Sequence, residues 1–192
     1  MKKFELTSET KINIFGKKLF RIKALISFGD VEAGETGGWV EKEGNVNQSG
    51  DAWVYGDAMV SGDAMVSGNA RVYGNAMVYG NAMVYGNAMV SGDAMVYGNA
   101  MVSGDARVYG DAMVSGDARV YGDADYTTIH GFGTQFRTTT FFRCKDKKVR
   151  VACGCFFGTI PEFREQVKNT RKGKIAEEYL MIADLMEKHF EK

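Results

Sequence analysis

The sequence predicts a mainly-β solenoid, and three observations carry that prediction. First, one six-residue unit runs twelve times without a gap from Gly50 to Tyr121: Gly, Asp or Asn, Ala, a variable residue, Val, then Tyr or Ser. Second, Ala and Val alternate with the variable residue and with Tyr or Ser, which is the in-out period of a strand. Third, every unit opens on Gly followed by Asp or Asn, residues that tolerate left-handed backbone and bond their own turns. Each unit is therefore a very short strand and a corner. A fixed period of this kind stacks its units into coils, and a helix could not carry a glycine in every second turn.

The first copy is Gly50-Asp51-Ala52-Trp53-Val54-Tyr55 and the last is Gly116-Asp117-Ala118-Arg119-Val120-Tyr121. Degenerate copies flank them at 44–49 and 122–127. Val fills the core and Ala suits the tight corner. The chain divides into an entry cap (1–43), the repeat body (44–125) and a C-terminal cap (126–192). These segments carry net charges of +1, −6 and +5. An anionic partner is therefore expected at the C-terminal end.

In Val54-Tyr55-Gly56-Asp57-Ala58-Met59 a small residue follows an aliphatic one four places on. This spacing resembles the hexapeptide repeat of left-handed parallel β-helices. The resemblance implies three hexads per triangular coil, hence about 4–5 coils and a body roughly 20 Å tall. It covers the body alone and is specific for fold rather than function, because that fold carries acyltransferases, γ-class carbonic anhydrases and plain scaffolds. The wider layout resembles uncharacterised hexapeptide-repeat proteins of bacteria and their phages, some with an acetyltransferase label. The shared features are the glycine-rich entry at Trp39, the near-perfect repeats and Cys153-Gly154-Cys155.

With three hexads per coil, the variable outward residues fall into three ladders. One holds Trp53, Arg71, Met89 and Arg107. The second is wholly methionine: Met59, Met77, Met95 and Met113, with Tyr79 and Tyr97 at the neighbouring position. The third holds Met65, Met83, Met101 and Arg119. Water-facing strands favour Thr, Lys or Glu, so a Met/Tyr wall of several hundred Å² reads as an interface. We expect self-association through the Met59–Met113 face as a closed homo-oligomer such as a trimer. Repeat duplication alone would also copy methionine. Trp53, Arg71 and Arg107 could hold a planar or phosphate-bearing ligand, or the arginines could pair with corner aspartates. No calcium is expected, because the calcium-binding β-roll repeat needs a Gly-Gly-x-Gly-x-Asp pattern.

The entry cap reads as a hairpin, 11–15 and 19–25, turning at Gly16-Lys17-Lys18, with Ile12, Ile14, Phe20 and Ile22 on an apolar face. Trp39 is expected to cover the open end of the solenoid. In the C-terminal cap, 136–144 and 149–157 read as two strands, with Val149, Val151, Cys153, Cys155 and Phe157 on one face. Thr159-Ile160-Pro161-Glu162 is a helix start, and a second helix follows over 174–190. The expected cap is ββαα.

Arg137, Arg143, Lys145, Lys147, Lys148 and Arg150 lie among Phe136, Phe141 and Phe142, a pattern that can bind nucleotides or single strands. A solvated hairpin over a phenylalanine core has the same composition. Cys144, Cys153, Cys155 and His130 could total a zinc set, but Cys-x-Cys is not the usual knuckle spacing, so no metal is expected. Three cysteines read as reduced thiols. With no apolar run of about 18 residues and no signal-like start, a cytoplasmic location without membrane contact is expected.

Catalysis has one weak candidate. The resemblance implies a histidine general base on or beside the helix for acyl transfer, and His130 alone stands near the body. A γ-class carbonic anhydrase needs three histidine ligands and the chain has two. The leading expectation is a non-catalytic oligomeric binding or scaffold protein without cofactor. The resemblance to phage-encoded members implies an alternative, capture of a small nucleotide by the basic hairpin to counter host defence. Acyl-CoA-dependent acyl transfer is a further one.

Overall fold

The structure, a computed structural model, describes residues 2–191. Each hexad forms a two-residue strand, and hexads 18 positions apart pair in parallel. Three walls result. The first stacks Trp53–Val54 (β4), Arg71–Val72 (β7), Met89–Val90 (β10) and Arg107–Val108 (β13). The second stacks Met59–Val60 (β5), Met77–Val78 (β8), Met95–Val96 (β11) and Met113–Val114 (β14). The third stacks Met65–Val66 (β6), Met83–Val84 (β9), Met101–Val102 (β12) and Arg119–Val120 (β15). Every hexad Val and Ala from Ala52 to Val120 is buried. The variable residues form the expected ladders in register.

Two requirements meet at the corner glycine. Gly74 has φ +71°, left-handed backbone that L side chains avoid, and a Cβ there would lie 3.0 Å from the nitrogen of Gly92 in the next coil. The Asx residue beside it completes the corner ladder. Asn69 donates its side-chain amide to Asn87 at 3.1 Å, and Asn87 donates to Asp105 at 3.0 Å. Asn75 donates to Asp93, Asn81 to Asn99, and Asn99 to Asp117. An asparagine can donate to the next rung and accept from the one before, whereas an ionised aspartate can only accept, so every one of these side-chain bonds starts on an Asn and each run of them ends on an Asp: Asp105, Asp93 and Asp117.

The solenoid is polar along its axis. Each coil donates corner and strand N–H groups to carbonyls of the next, as Asn69 N does to Gly86 O and Met59 N to Ala76 O. The first coil therefore presents open carbonyls. Three side chains and one strand answer them. The Lys3 ammonium donates to Gly50 O (3.1 Å) and Ala52 O (2.9 Å). Asn45 donates to Gly62 O and Ala64 O, and Arg21 to Gly56 O. Thr36–Val40 (β3) pairs parallel with β5. The last coil presents open N–H groups, which are met by acceptors. Asp123 takes Arg107 N, Asp125 takes Tyr121 N, and the Thr140 hydroxyl takes Met113 N.

At the entry, Phe4–Ile12 (β1) and Lys18–Ala24 (β2) form an antiparallel hairpin joined to β3. Two expectations are corrected here. Ile12, paired with Lys18 at the end of the hairpin, and Ile14 in its turn are 66% and 74% exposed, and the buried face is Phe4, Leu19, Ile22 and Ala24. The two tryptophans also exchange parts. Trp39 continues the second wall above Met59, its indole between Lys11 and Arg21. The open end is closed instead by Trp53, edge-on to Phe4 and Phe28. A Cβ on Gly37 would lie 2.6 Å from Trp53 Cζ2, which explains glycine there.

The C-terminal cap has four antiparallel strands rather than two: Tyr126–Phe132 (β16), Arg137–Arg143 (β17), Val149–Cys153 (β18) and Phe156–Thr159 (β19). The expected long strand over 149–157 turns at Gly154, φ +61°, and Cys155. Cys155 is exposed in that turn, so it does not share a buried face with Cys153. Phe142 and Ala152 close the last coil, and the opposite face of the sheet places Phe141 and Val151 against Ile160–Thr170 (α1) and Gly173–Phe190 (α2). Thr159 caps α1 with Glu162 in a capping box. Among the described residues, no helix is long and apolar enough to cross a membrane.

Candidate interface and binding surfaces

The second and third walls meet along one edge of the prism. On the second wall Met59, Met77, Met95 and Met113 are half-buried; on the third, Met65 and Met83 are 41% and 38% exposed and Met101 is half-buried. Tyr79 and Tyr97 stand on the corner between the walls, with rings parallel to within 1° and 4.9 Å between centroids. That spacing is the strand spacing itself: identical residues in adjacent coils stack because the backbone repeats. The hairpin tip adds Phe15 on Tyr79 at 4.7 Å. Burial, and then the neighbouring Tyr97, push the Tyr79 phenol up to about 12.

The arginine ladder does not assemble into one site. Trp53 holds the outward register position but is fully buried by Phe4 and Phe28, so it is removed from the candidate ligand set. Arg71 is held by Asp30 at 2.9 Å. Arg107 stands exposed two coils away, with Met89 between them.

The basic hairpin is split as well. Arg137 and Arg143 sit at opposite ends of β17. Arg143 donates to Phe190 O at 2.6 Å and lies 3.6 Å from Asp125, so its guanidinium ties α2 to the body. Arg150 is bound to Asp146 at 2.7 Å. Lys148 lies past the turn, beside Thr159 and Glu187. Sequence reasoning missed a different gathering: Lys145 and Lys147 line one cavity with Arg143, Arg119 and Tyr121. The one available signal was positional: a last coil with no further hexad to cover it must be closed by the C-terminal cap, and Ala118 does bridge Cys144 at that closure.

His130 is exposed on β16. Its Nδ1 is 3.1 Å from the Thr138 hydroxyl, and Thr138 lies 3.4 Å from Asp111. Cys144 is buried against the last coil, and burial pushes its thiol up to about 11. The half-buried Cys153 takes a hydrogen bond from Thr139. Among the described residues, no group of three or more His, Cys, Asp or Glu side chains is placed to hold a metal ion.

Three short-stranded walls in an 18-residue register define the class: this is a β-solenoid repeat protein. A family model described as YdcK Beta solenoid repeat matches residues 52–68, 70–84, 76–92, 82–97, 94–107 and 106–122. Those stretches lie within the stacked hexads and leave both caps outside. A search of curated proteins found no match.

Proposed function

We propose that the chain is a non-catalytic scaffold, wound left-handed as its hexads imply, that self-associates through the edge between its second and third walls. One observation carries this reading. Seven methionines stand at the outward strand positions of the two walls, around the Tyr79–Tyr97 stack, and no charged residue takes such a position before Arg119. Methionine adapts to an opposing surface and tyrosine adds area with a hydroxyl, the composition of contact surfaces rather than of solvated strands. A closed assembly, such as the trimer the three-sided body suggests, would cover them. His130 faces a threonine hydroxyl rather than a carboxylate, which supports binding over acyl transfer. Light scattering on the Met77→Lys/Met95→Lys variant tests the proposal. Two lysines buried against a partner cost several kcal/mol, so the variant should have the single-chain mass. A variant mass equal to that of the wild-type assembly sinks the idea.

A further inference from the structure

The seam between the last coil and the C-terminal sheet forms a cavity of about 530 Å³ that opens to solvent, within the size range of small-molecule sites. Its charged lining is Arg119, Arg143, Lys145, Lys147 and one acid, Asp125. Asp125 is already engaged, with Arg143 at 3.6 Å and with Tyr121 N at 3.0 Å. Arg119 donates to backbone carbonyls of Asn99 and Ala118. Lys145 and Lys147 form no salt bridge among the described residues, and both are exposed. The Cys144 thiol beside them is held neutral by burial, so no thiolate answers the lysines.

Two features set this cavity apart from an ordinary basic surface. Lys147 has φ +63°, in the left-handed region, at a hairpin position where Gly or Asn is unstrained. Its N–H closes the turn on Cys144 O at 2.8 Å, so the turn needs that backbone but not that side chain. Strain retained at a residue lining a cavity points to a use for the side chain. Tyr121 ends the third wall at 53% exposure, a position where the repeat elsewhere accepts serine.

We propose that this cavity binds a phosphate-bearing small molecule with a planar ring, a mononucleotide in chemical class. Lys145 and Lys147 take the phosphate oxygens and Tyr121 stacks on the ring. Its Arg119 is the rung of the third wall after Met101, but the lining includes none of the interface methionines and neither Tyr79 nor Tyr97, so the substitutions that test it differ from those that test self-association.

Calorimetric titration of the full chain at low salt with ADP, and separately with inorganic pyrophosphate, tests it. ADP is expected to bind, with affinity falling about tenfold in Lys145→Ala and in Lys147→Gly, the scale of one charge-assisted hydrogen bond. Lys147→Gly should also raise the ligand-free melting temperature, because glycine relieves the turn. Tyr121→Ser should weaken ADP by about fivefold or more and leave pyrophosphate unchanged. Lys148→Ala, outside the cavity, should bind ADP like the wild type. No ADP binding at about 1 mM, or an equal loss in Lys148→Ala, would overturn the proposal. So would ADP binding that survives Lys145→Ala/Lys147→Gly.

Discussion

Replacing Lys3 by methionine should uncover the polarity of the solenoid. The ammonium is buried in the entry cap, donating to two carbonyls of the first coil and lying 4.7 Å from the Phe28 ring centroid. Burial lowers its pKa from 10.5 to about 8, with Asp51 opposing the shift. Methionine keeps the stem but removes both donors. Two charge-assisted bonds contribute about 3–6 kcal/mol together, while relief of the buried charge returns on the order of 3 kcal/mol. The net loss at pH 7 is about 0–3 kcal/mol. The pH dependence is more telling. Between about 8 and 10.5 the unfolded chain holds a proton at Lys3 that the folded chain has released, so stability rises with pH there. The gap between wild type and Lys3→Met should widen by about 2.5 kcal/mol from pH 7 to pH 10. Tyrosine ionisation is common to both proteins and cancels. Urea unfolding followed by tryptophan fluorescence reads this end of the body directly, because Trp39 and Trp53 both lie in it. A gap that stays constant from pH 7 to pH 10 would refute the reasoning.

Three further substitutions address the repeat itself. Gly92→Ala places a Cβ 2.9 Å from Gly110 N at φ +69°, and should cost at least about 2 kcal/mol in chemical denaturation. Asn87→Asp removes the donor to Asp105 and stacks like charges, for a loss of about 1 kcal/mol at pH 7. That loss should disappear below pH ~4 as the carboxylates protonate, so melting curves at two pH values suffice. Trp53→Ala should lower stability by about 3–5 kcal/mol. Trp53→Phe should lose far less, because the indole N–H is buried without a partner.

The walls were legible because the period is strict: once three hexads make a coil, residues 18 apart must be neighbours. The Asp/Asn choice was legible only in part. Turn chemistry accounts for either residue, whereas the column of side-chain bonds from Asn69 through Asn87 to Asp105 accounts for the asparagines that must donate to the next coil. Trp53 was not legible. Its register is set by the repeat, but its burial depends on Phe4 and Phe28, which reach it from outside the repeat. The basic hairpin misled for a related reason. Arg137 and Arg143 are near in sequence, yet an extended strand carries them to opposite ends. Lys145 and Lys147 gained neighbours from the last coil, which no local pattern announces.

The central claim is that the edge between the second and third walls is covered by another copy of the chain. Oxidation footprinting of methionines in the wild-type protein asks this of each residue. Met65, Met83 and Met181 are all exposed in the single chain, Met181 on the outer face of α2. If the edge is the interface, Met65 and Met83 will oxidise far more slowly than Met181, and Met77→Lys/Met95→Lys will erase the difference. Oxidation of Met65 and Met83 at the rate of Met181 in the wild type would contradict the account.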